Sequence, residues 1–327
     1  MVSEALTTHL TRSLGIEIPL ICGAMYPCSN PELVAAVSEA GGVGVLQPVS
    51  LVYVYGYDFR EGLRRIRELT DKPIGMNVLT EQSSKTYIER MRRWLDIAVE
   101  EGVRFFVSSL GNPRWIVDTV EPVGGLVYHD VTRRKWALKA VDAGVHGLIA
   151  VNDRAGGHAG ELGPEALLEE VGDLGLPVAC AGGVGDARAF AAALRMGYVG
   201  VQAGTRFIAT HECASPDEYK SAVVNATEHD IVLTNRITAV PVAVIRNERV
   251  EREGTEVGPI SRLLLANNRT KHWVRALYSL RSLIGLKRSV KRKMSHKDYY
   301  QAGKSVGGVH AVERAGDIVR KFAAAVE

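Results

Sequence analysis

Eight short apolar runs alternate with helical segments in the first two thirds of the chain, and this alternation constrains the fold more than any other feature. The runs cover 19–25, 43–47, 73–79, 103–110, 125–129, 147–152, 177–181 and 198–203. Continuous apolar strands are typical of a parallel sheet that is covered on its outer face. Eight of them predict a closed (β/α)₈ TIM barrel. The competing Rossmann-type sheet requires a GxGxxG turn after an early strand, and none follows the first strand.

Amphipathic segments and capping residues predict the helices between the strands. The expected helices cover 31–40, 59–69, 85–101, 113–120, 132–143, 164–174 and 187–196. Asn30 and Pro31 supply an N-cap and a first-turn proline, and Asp186 is an N-cap for the last of these helices. Gly197 ends that helix.

The last third of the chain does not continue this alternation of apolar runs and helical segments. We expect helices at 215–226 and 309–326, and extended segments at 231–233 and 240–245. The sequence therefore predicts two parts: a TIM barrel over 1–213, and a mainly helical C-terminal extension or cap over 214–327.

Residues 262–297 carry many Lys and Arg, no Asp or Glu, and interleaved apolar residues. This basic helical segment fits a cap that packs on the barrel, a mouth that attracts an anionic ligand, or a contact with an anionic membrane surface. The sequence leaves these three interpretations open.

Composition excludes several classes of protein. Apolar residues make up 46% of the chain, charged residues 24%, and the net charge is +3, which is ordinary for a globular protein and too small for a nucleic-acid binder. The four cysteines have no CxxC spacing, so we expect reduced thiols in a cytoplasmic protein rather than a disulfide framework or a metal site. We expect no secretory signal and no transmembrane segment.

A glycine-rich loop with one histidine, at 153–164, follows the sixth strand. Glycines let the backbone approach a flat or charged ligand closely. His158, in the middle of this loop, is of the right type to exchange a proton with such a ligand. The alternative is a loop that needs glycine for its turns and carries a solvated histidine.

Two further glycine turns follow the seventh and eighth strands, where TIM barrels often hold a phosphate group. Gly182 and Gly183 form the first turn, and Gly204 and Thr205 form the second. Backbone N–H groups and the Thr205 hydroxyl could hold a phosphate there. Each turn alone could be structural, but two on neighbouring strands indicate a phosphorylated cofactor.

Other strand ends offer small or polar groups to the same mouth. The first strand ends in Gly23, Ala24 and Met25, which suits a backbone that lies against an aromatic ring system. Asn77 ends the third strand and could read the edge of that ring, or it could be a cap or turn residue. His129 ends the fifth strand, and a satisfied buried histidine is the simpler interpretation of it.

The motifs 156–160, 181–183 and 202–207 together resemble those of the nitronate monooxygenase (2-nitropropane dioxygenase) family, to which FMN-dependent enoyl-acyl-carrier-protein reductase II is related. The resemblance covers about 10–213 and, weakly, 303–308. It implies an FMN-binding TIM barrel with His158 as the catalytic acid or base. The residues implied at the FMN site are Gly23, Ala24, Met25, Asn77, His129, Gly157, Gly182, Gly183, Gln202, Gly204 and Thr205.

One position departs from that family. Its members commonly carry a lysine just after the fifth strand, near the pyrimidine end of the flavin, and Asp130 stands there in this chain. A cation at that place stabilises the anionic reduced flavin, and a carboxylate does the opposite. Either His129 or Arg133 substitutes for the lysine, or Asp130 turns away, or the protein handles electrons differently from its relatives.

The resemblance implies oxidation of alkyl nitronates with O₂ as the first functional hypothesis. The second is an NAD(P)H-dependent FMN reductase of an enone, an enoyl thioester (ACP or CoA) or a quinone, which the basic segment and Asp130 favour. A third is a flavin-binding scaffold protein without turnover. The expected partners are a small-molecule substrate, anionic if it is a nitronate or an acyl thioester, and a second copy of the chain in a homodimer; no nucleic acid and no metal are expected.

Overall fold

Eight parallel strands close into a barrel, as the sequence predicts. The computed structural model describes residues 4–80, 85–237, 240–257 and 299–326. Each strand pairs with the next in the chain, and β8 pairs with β1. The strands are β1 (Leu20–Cys22), β2 (Val43–Leu46), β3 (Ile74–Leu79), β4 (Phe105–Ser109), β5 (Leu126–Val131), β6 (Gly147–Val151), β7 (Val178–Ala181) and β8 (Gly200–Ala203).

The helices of the barrel lie close to their predicted positions. They are α1 (His9–Leu14), α2 (Pro31–Glu39), α3 (Pro48–Tyr53), α4 (Phe59–Arg67), α5 (Lys85–Glu100), α6 (Arg114–Val120), α7 (Arg134–Asp142), α8 (Pro164–Val171), α9 (Ala187–Arg195) and α10 (Thr205–Ile208). The sequence analysis did not predict α1, α3 or α10. Each has six residues or fewer, which is too short for a helical period to emerge.

Side chains inside the barrel form an apolar core that is separate from the layer between strands and helices. Ile21, Val45, Phe105 and Tyr128 belong to this inner cluster, and Leu10 of α1 belongs to it as well. The helix that precedes β1 therefore contributes to the barrel interior, and the barrel is a filled core rather than a pore.

The C-terminal part is mainly helical, with one small antiparallel sheet. It contains α11 (Asp217–Asn225), β9 (Ile231–Thr234), β10 (Val242–Ile245), α12 (Glu248–Glu253), a 3₁₀ segment (Lys304–Gly308) and α13 (Ala315–Ala324). The two predicted extended segments pair with each other. The division of the chain at 213/214 stays a prediction.

The terminal helix starts later than the sequence predicts. We expected it at 309–326, but α13 begins at Ala315. The backbone of Glu313 pairs with the segment after α10: its N–H donates to Ala209 O at 3.2 Å, and its O accepts from His211 N at 3.0 Å. A backbone committed to this pairing cannot also make helical hydrogen bonds.

The same terminal helix completes the outer layer of the barrel. Because α10 has only four residues, it cannot cover β8. Instead, α13 packs against α9 and α2, and the rings of Phe190 and Phe322 lie 5.2 Å apart. The buried guanidinium of Arg206 pairs with Glu313 and so joins α10 to the segment before α13. The end of the chain is thus part of the barrel's packing.

Residues 262–297, the predicted basic helical segment, lie outside the described part of the chain. Across the ranges that the structure covers, no helix combines the length and the apolar character that crossing a bilayer requires. All four cysteines are buried free thiols, as their spacing suggests.

Candidate active site

A cavity of about 1070 Å³ opens at the carboxyl ends of the barrel strands. Every residue that the sequence analysis assigned to the site lines it: Gly23, Ala24, Met25, Asn77, His129, Gly157, His158, Gly182, Gly183, Gln202, Gly204 and Thr205. Asp130 lines it too. The volume is at the upper end of the range for ligand pockets, so it can hold a cofactor and a second molecule together. The individual roles of these residues stay predictions.

A layer of polar side chains caps the apolar interior of the barrel and forms the floor of this cavity. Tyr128 belongs to the inner cluster, and alternation along β5 therefore turns Asp130 inward as well. By the same rule Asn77 and Gln202 point inward, because their neighbours on β3 and β8 belong to the outer cluster. The alternative that Asp130 turns away from the mouth is therefore wrong.

Asn77 is held in place by its neighbours. Its Nδ2 donates to Val107 O on β4 at 3.2 Å, and its Oδ1 accepts from Gln47 Nε2 at 3.5 Å. Asn77 lies within β3 and is buried, so it is neither a helix cap nor a turn residue. One amide N–H and one lone pair remain available to the cavity.

Two oxygens of the polar floor have no hydrogen-bond partner among the described residues: Asp130 Oδ1 and Gln202 Oε1. Both are inaccessible to solvent. Burial raises the pKa of Asp130 to about 7, and a hydrogen bond with Gln202 opposes part of that rise. Two buried acceptors without donors are costly unless a bound ligand or a proton satisfies them.

His129 is a neutral, hydrogen-bonded histidine. Its Nδ1 lies 2.8 Å from Ser108 Oγ on β4. Burial lowers the pKa of His129 to about 4, so the ring is uncharged at neutral pH. It cannot supply the missing cation near Asp130. The interpretation as a satisfied buried histidine is supported, although His129 is among the residues that line the cavity.

Arg133 does not supply that cation either. Its guanidinium pairs with Glu161 at 3.1 Å and with Glu170 at 3.3 Å, and Arg133 is not among the residues that line the cavity. With Asp130 inward, His129 neutral and Arg133 engaged elsewhere, the floor of the cavity has an aspartic acid at the position where the family resemblance implies a lysine.

The glycine turn after β7 is a cradle that a side chain would fill. Gly182 has φ +117° and Gly183 has φ +79°, both in the region that favours glycine. A Cβ on Gly182 would lie 2.6 Å from Ala155 N and would overlap the Asn152 side chain. Such a backbone can present N–H groups closely to an anion.

Asn152, which the sequence analysis assigned only to a strand, ties this turn to the histidine loop. It is fully buried at the end of β6. Its Nδ2 donates to Gly182 O at 3.1 Å, and its Oδ1 accepts from Arg154 N at 2.9 Å. The two glycine loops therefore share one anchoring side chain.

The loop that carries His158 is fixed from its far side. Gly157 O accepts from Ala243 N of β10 at 2.7 Å, and Gly156 packs against the backbone of Ala302 and Gly303. His158 itself is exposed and lines the cavity. The C-terminal part thus holds the loop from which this histidine reaches the mouth.

The glycine-rich stretch 301–308, part of which shares the weak resemblance, is not among the residues that the sequence assigns to the site. Gly303 N donates to Thr205 Oγ1 at 3.0 Å, and Lys304 N donates to Arg154 O at 2.9 Å. Gln301 and Ser305 line the cavity. This stretch therefore closes the gap between the loops after β6, β7 and β8.

The outer end of the cavity is aromatic and basic. Leu110, Arg114, Trp136 and Lys139 line it, between the loop after β4 and helix α7. The Nζ atoms of Lys135 and Lys139 lie 4.6 and 5.0 Å from the centroid of the Trp136 ring, which is 43% exposed. Neither lysine forms an ion pair within the described ranges. We call Arg114, Trp136 and Lys139 the rim.

The sequence matches a known protein family over almost its whole length. The family described as nitronate monooxygenase matches residues 7–325. The chain belongs to the nitronate monooxygenase family. The match extends beyond the barrel to the C-terminal segments that anchor the histidine loop. Family membership makes the protein an oxidoreductase and confirms the resemblance on which the sequence analysis relied.

Curated relatives within this similarity carry different activities. A (3aS,4S,5R,7aS)-5-hydroxy-7a-methyl-1-oxo-octahydro-1H-indene-4-carboxyl-CoA dehydrogenase of Mycobacterium tuberculosis is 31% identical over 251 residues, 76% of this chain and 68% of that protein. A probable nitronate monooxygenase of Staphylococcus saprophyticus is 29% identical, over 76% of this chain and 81% of that protein.

Two solved structures with different names have folds similar to that of this chain. FabK from Thermotoga maritima has a TM-score of 0.80 and 28% identity, covering 98% of this chain and 96% of its own. Nitroalkane oxidase from Streptomyces ansochromogenes has a TM-score of 0.77 and 25% identity, covering 97% of each chain. Both likenesses cover almost the whole chain, so the fold is shared with proteins that carry different names.

Proposed function

We propose that this nitronate monooxygenase family member is an FMN-dependent oxidoreductase of an acyl-CoA thioester, with His158 as the proton-transfer residue. The observation that carries the proposal is a single cavity that joins a glycine cradle, a polar floor, an accessible histidine and a basic aromatic rim. Bound FMN would accept or return a hydride, and the other tasks belong to the protein's own residues.

The residues present fit FMN. The cradle at Gly182 and Gly183, with Gly204 and Thr205 beside it, provides backbone N–H groups suited to the phosphate. The floor provides two buried oxygens that have no partner in the described ranges, Asp130 Oδ1 and Gln202 Oε1, and these suit the hydrogen-bonding edge of a flavin ring. Gly23 and Ala24 leave room for a flat ring against the backbone.

His158 is suited to exchange a proton with the carbon next to the thioester carbonyl. An accessible histidine on an anchored loop has both the position and the chemistry of a general acid or base. In the dehydrogenating direction His158 would take the Cα proton while bound FMN would supply the hydride acceptor for Cβ, so that a Cα–Cβ double bond results. In the reducing direction His158 would return the proton to Cα, and NAD(P)H would be the source of the hydride.

The residues of the rim favour a substrate whose tail carries negative charge and an aromatic ring. Trp136 offers a ring face for an adenine base, and Lys139 and Arg114 offer positive charge for phosphates. A small nitronate needs neither the rim nor a cavity of this size. The M. tuberculosis relative, named as a CoA dehydrogenase, is in keeping with this substrate class.

Oxidation of alkyl nitronates is the second candidate. The match to the nitronate monooxygenase family and the likeness to a nitroalkane oxidase favour it. His158 would then bind the nitro group or remove the α-proton of a neutral nitroalkane.

Anaerobic mixing tests the proposal. The FMN-loaded protein is mixed in turn with NADH, NADPH, a saturated acyl-CoA and an alkyl nitronate, and flavin absorbance is followed. We expect bleaching by a reduced nicotinamide or a saturated acyl-CoA, and recovery of colour on addition of an enoyl-CoA. Bleaching by the nitronate alone would establish the second candidate, and a protein that binds no FMN would overturn both.

A further inference from the structure

The floor of the cavity contains a donor–acceptor mismatch that a charged aspartate cannot resolve. An ionised carboxylate only accepts hydrogen bonds. Asp130 Oδ1 and Gln202 Oε1 are both buried acceptors without a donor in the described part of the chain. Protonation of Asp130 turns one of its oxygens into a hydroxyl donor, so fewer acceptor oxygens are left without a hydrogen bond.

Among the described residues, no charged group near Asp130 stabilises its ionised form. Along β5, its inward neighbour is the phenol of Tyr128, whose burial raises its pKa and keeps it neutral. On the flanking strands, the inward side chains of Val107 on β4 and of Ile149 and Val151 on β6 are apolar. Ser109, which alternation also turns inward on β4 and which lines the cavity, is polar but uncharged. Gln202 faces Asp130 from β8 and is uncharged.

The charged residues of the same cavity lie at its other end. Arg114, Lys139 and Asp142 line the outer part, next to α7. His129 points to the outer layer and is neutral, because burial lowers its pKa. His158 reaches the cavity from the loop after β6 and is exposed to solvent. The ionised form of Asp130 thus faces apolar, hydroxyl and amide groups, but no cation, from the described strands packed against it.

We propose that Asp130 is a neutral carboxylic acid in the FMN complex, that its O–H donates a hydrogen bond to the flavin ring, and that FMN binding above neutral pH therefore takes up a proton at Asp130. This rests on the proposed FMN site. Asp130 as a whole is only partly buried, although its Oδ1 is inaccessible. A flat ring over the floor removes the solvent that still reaches the rest of the residue, which disfavours the carboxylate further. Asp130 is a binding and positioning residue here, and Gln202 orients it.

FMN binding and proton uptake by Asp130 are thermodynamically linked, so the pH dependence of FMN affinity tests the proposal. The apoprotein is titrated with FMN between pH 7 and pH 9, where the phosphate monoester is already fully ionised because its second pKa is near ~6. We expect the wild-type Kd to rise by about tenfold per pH unit above the pKa of the free protein, until the pKa of the complex is reached.

Asp130→Asn is the matched variant, because an amide keeps the shape and a donor but cannot ionise. Its Kd is expected to stay within about twofold over the same range. Asp142→Asn, at the outer end of the cavity, is the control and is expected to keep the wild-type slope. Equal slopes in wild type and Asp130→Asn would overturn the proposal.

A second measurement needs no variant. FMN binding to the wild-type protein at pH 8 is measured by calorimetry in two buffers of different ionisation heat, which reports the protons taken up. We expect uptake approaching one proton per FMN bound. FMN binding without proton uptake would overturn the role of Asp130 alone, whereas absence of FMN binding would overturn the proposed function.

Discussion

Asp130 on β5 and Gln202 on β8 face each other across the barrel interior, and each keeps one buried oxygen without a partner among the described residues. An apolar core lies beneath this pair, and the cavity mouth lies above it. A protein that only needed stability would not keep two such acceptors there, since each costs free energy of folding. The pair therefore indicates a ligand that completes it.

Replacement of Asp130 by Asn is expected to stabilise the apoprotein at alkaline pH. Burial raises the pKa of Asp130 from 3.8 in the unfolded chain to about 7 in the folded protein. Between these values the folded state binds more protons, so wild-type stability falls as pH rises through this window. The loss reaches up to about 4 kcal/mol above pH 7.

Urea unfolding of the two apoproteins at pH 5 and pH 8 measures this effect. The stability gained by Asp130→Asn should be larger at pH 8 than at pH 5. A gain that is equal at both pH values would show that the carboxyl does not titrate in this window.

His158→Ala is expected to lower turnover by about 10²- to 10⁴-fold, the usual contribution of a general acid or base. The loop is fixed by backbone contacts of Gly156 and Gly157, so loss of the imidazole should leave FMN affinity unchanged. His9→Ala is the control, because His9 is exposed on α1, before the first strand. Steady-state rates and an FMN titration measure both effects, and an unchanged rate would favour a scaffold without turnover.

The barrel and the position of its mouth could be predicted because their signals are local. Short apolar runs alternate with amphipathic segments along the chain, and the carboxyl ends of parallel strands meet at one face. Gly182 and Gly204 come directly after strands, and His158 lies in the loop after β6, so the fold brings all three to the same mouth.

Other parts of the site depend on contacts that leave no local pattern. Gly303 meets Thr205 across about a hundred residues of chain, and neither side has a periodicity that would indicate the other. The anchoring role of Asn152 depends on how the turn at Gly182 folds back. The inward direction of Asp130 depends on the register of β5, which composition does not specify.

Gly182→Ala is expected to destroy the cradle. Its φ of +117° disfavours any side chain, and the new Cβ would press on Asn152 and lie 2.6 Å from Ala155 N. Gly175→Ala is the matched control, since Gly175 has φ +77° but no atom within 4 Å of the added Cβ. Both variants should lose about 1–2 kcal/mol to backbone strain, measured by urea unfolding, and only Gly182→Ala should also lose FMN affinity. Equal FMN affinity in the two variants would contradict a cradle at Gly182.

Substitutions at the rim separate the recognition of the CoA tail from the chemistry. Lys139→Ala and Trp136→Ala remove the unpaired charge and the exposed ring at the outer end of the cavity. With an acyl-CoA substrate, KM should rise by about tenfold, which corresponds to loss of about 1.4 kcal/mol of binding free energy, and kcat should change little because the rim is not at the reacting carbon.

The same variants assayed with the matching acyl thioester of N-acetylcysteamine, which has no nucleotide, should behave as wild type. Leu138→Ala is the control variant, because Leu138 is 45% exposed on the same helix but does not line the cavity. Because Lys139 and Trp136 can act only on a substrate long enough to reach them, an equal loss on both substrates would mean that they support the fold of α7 and not the nucleotide tail.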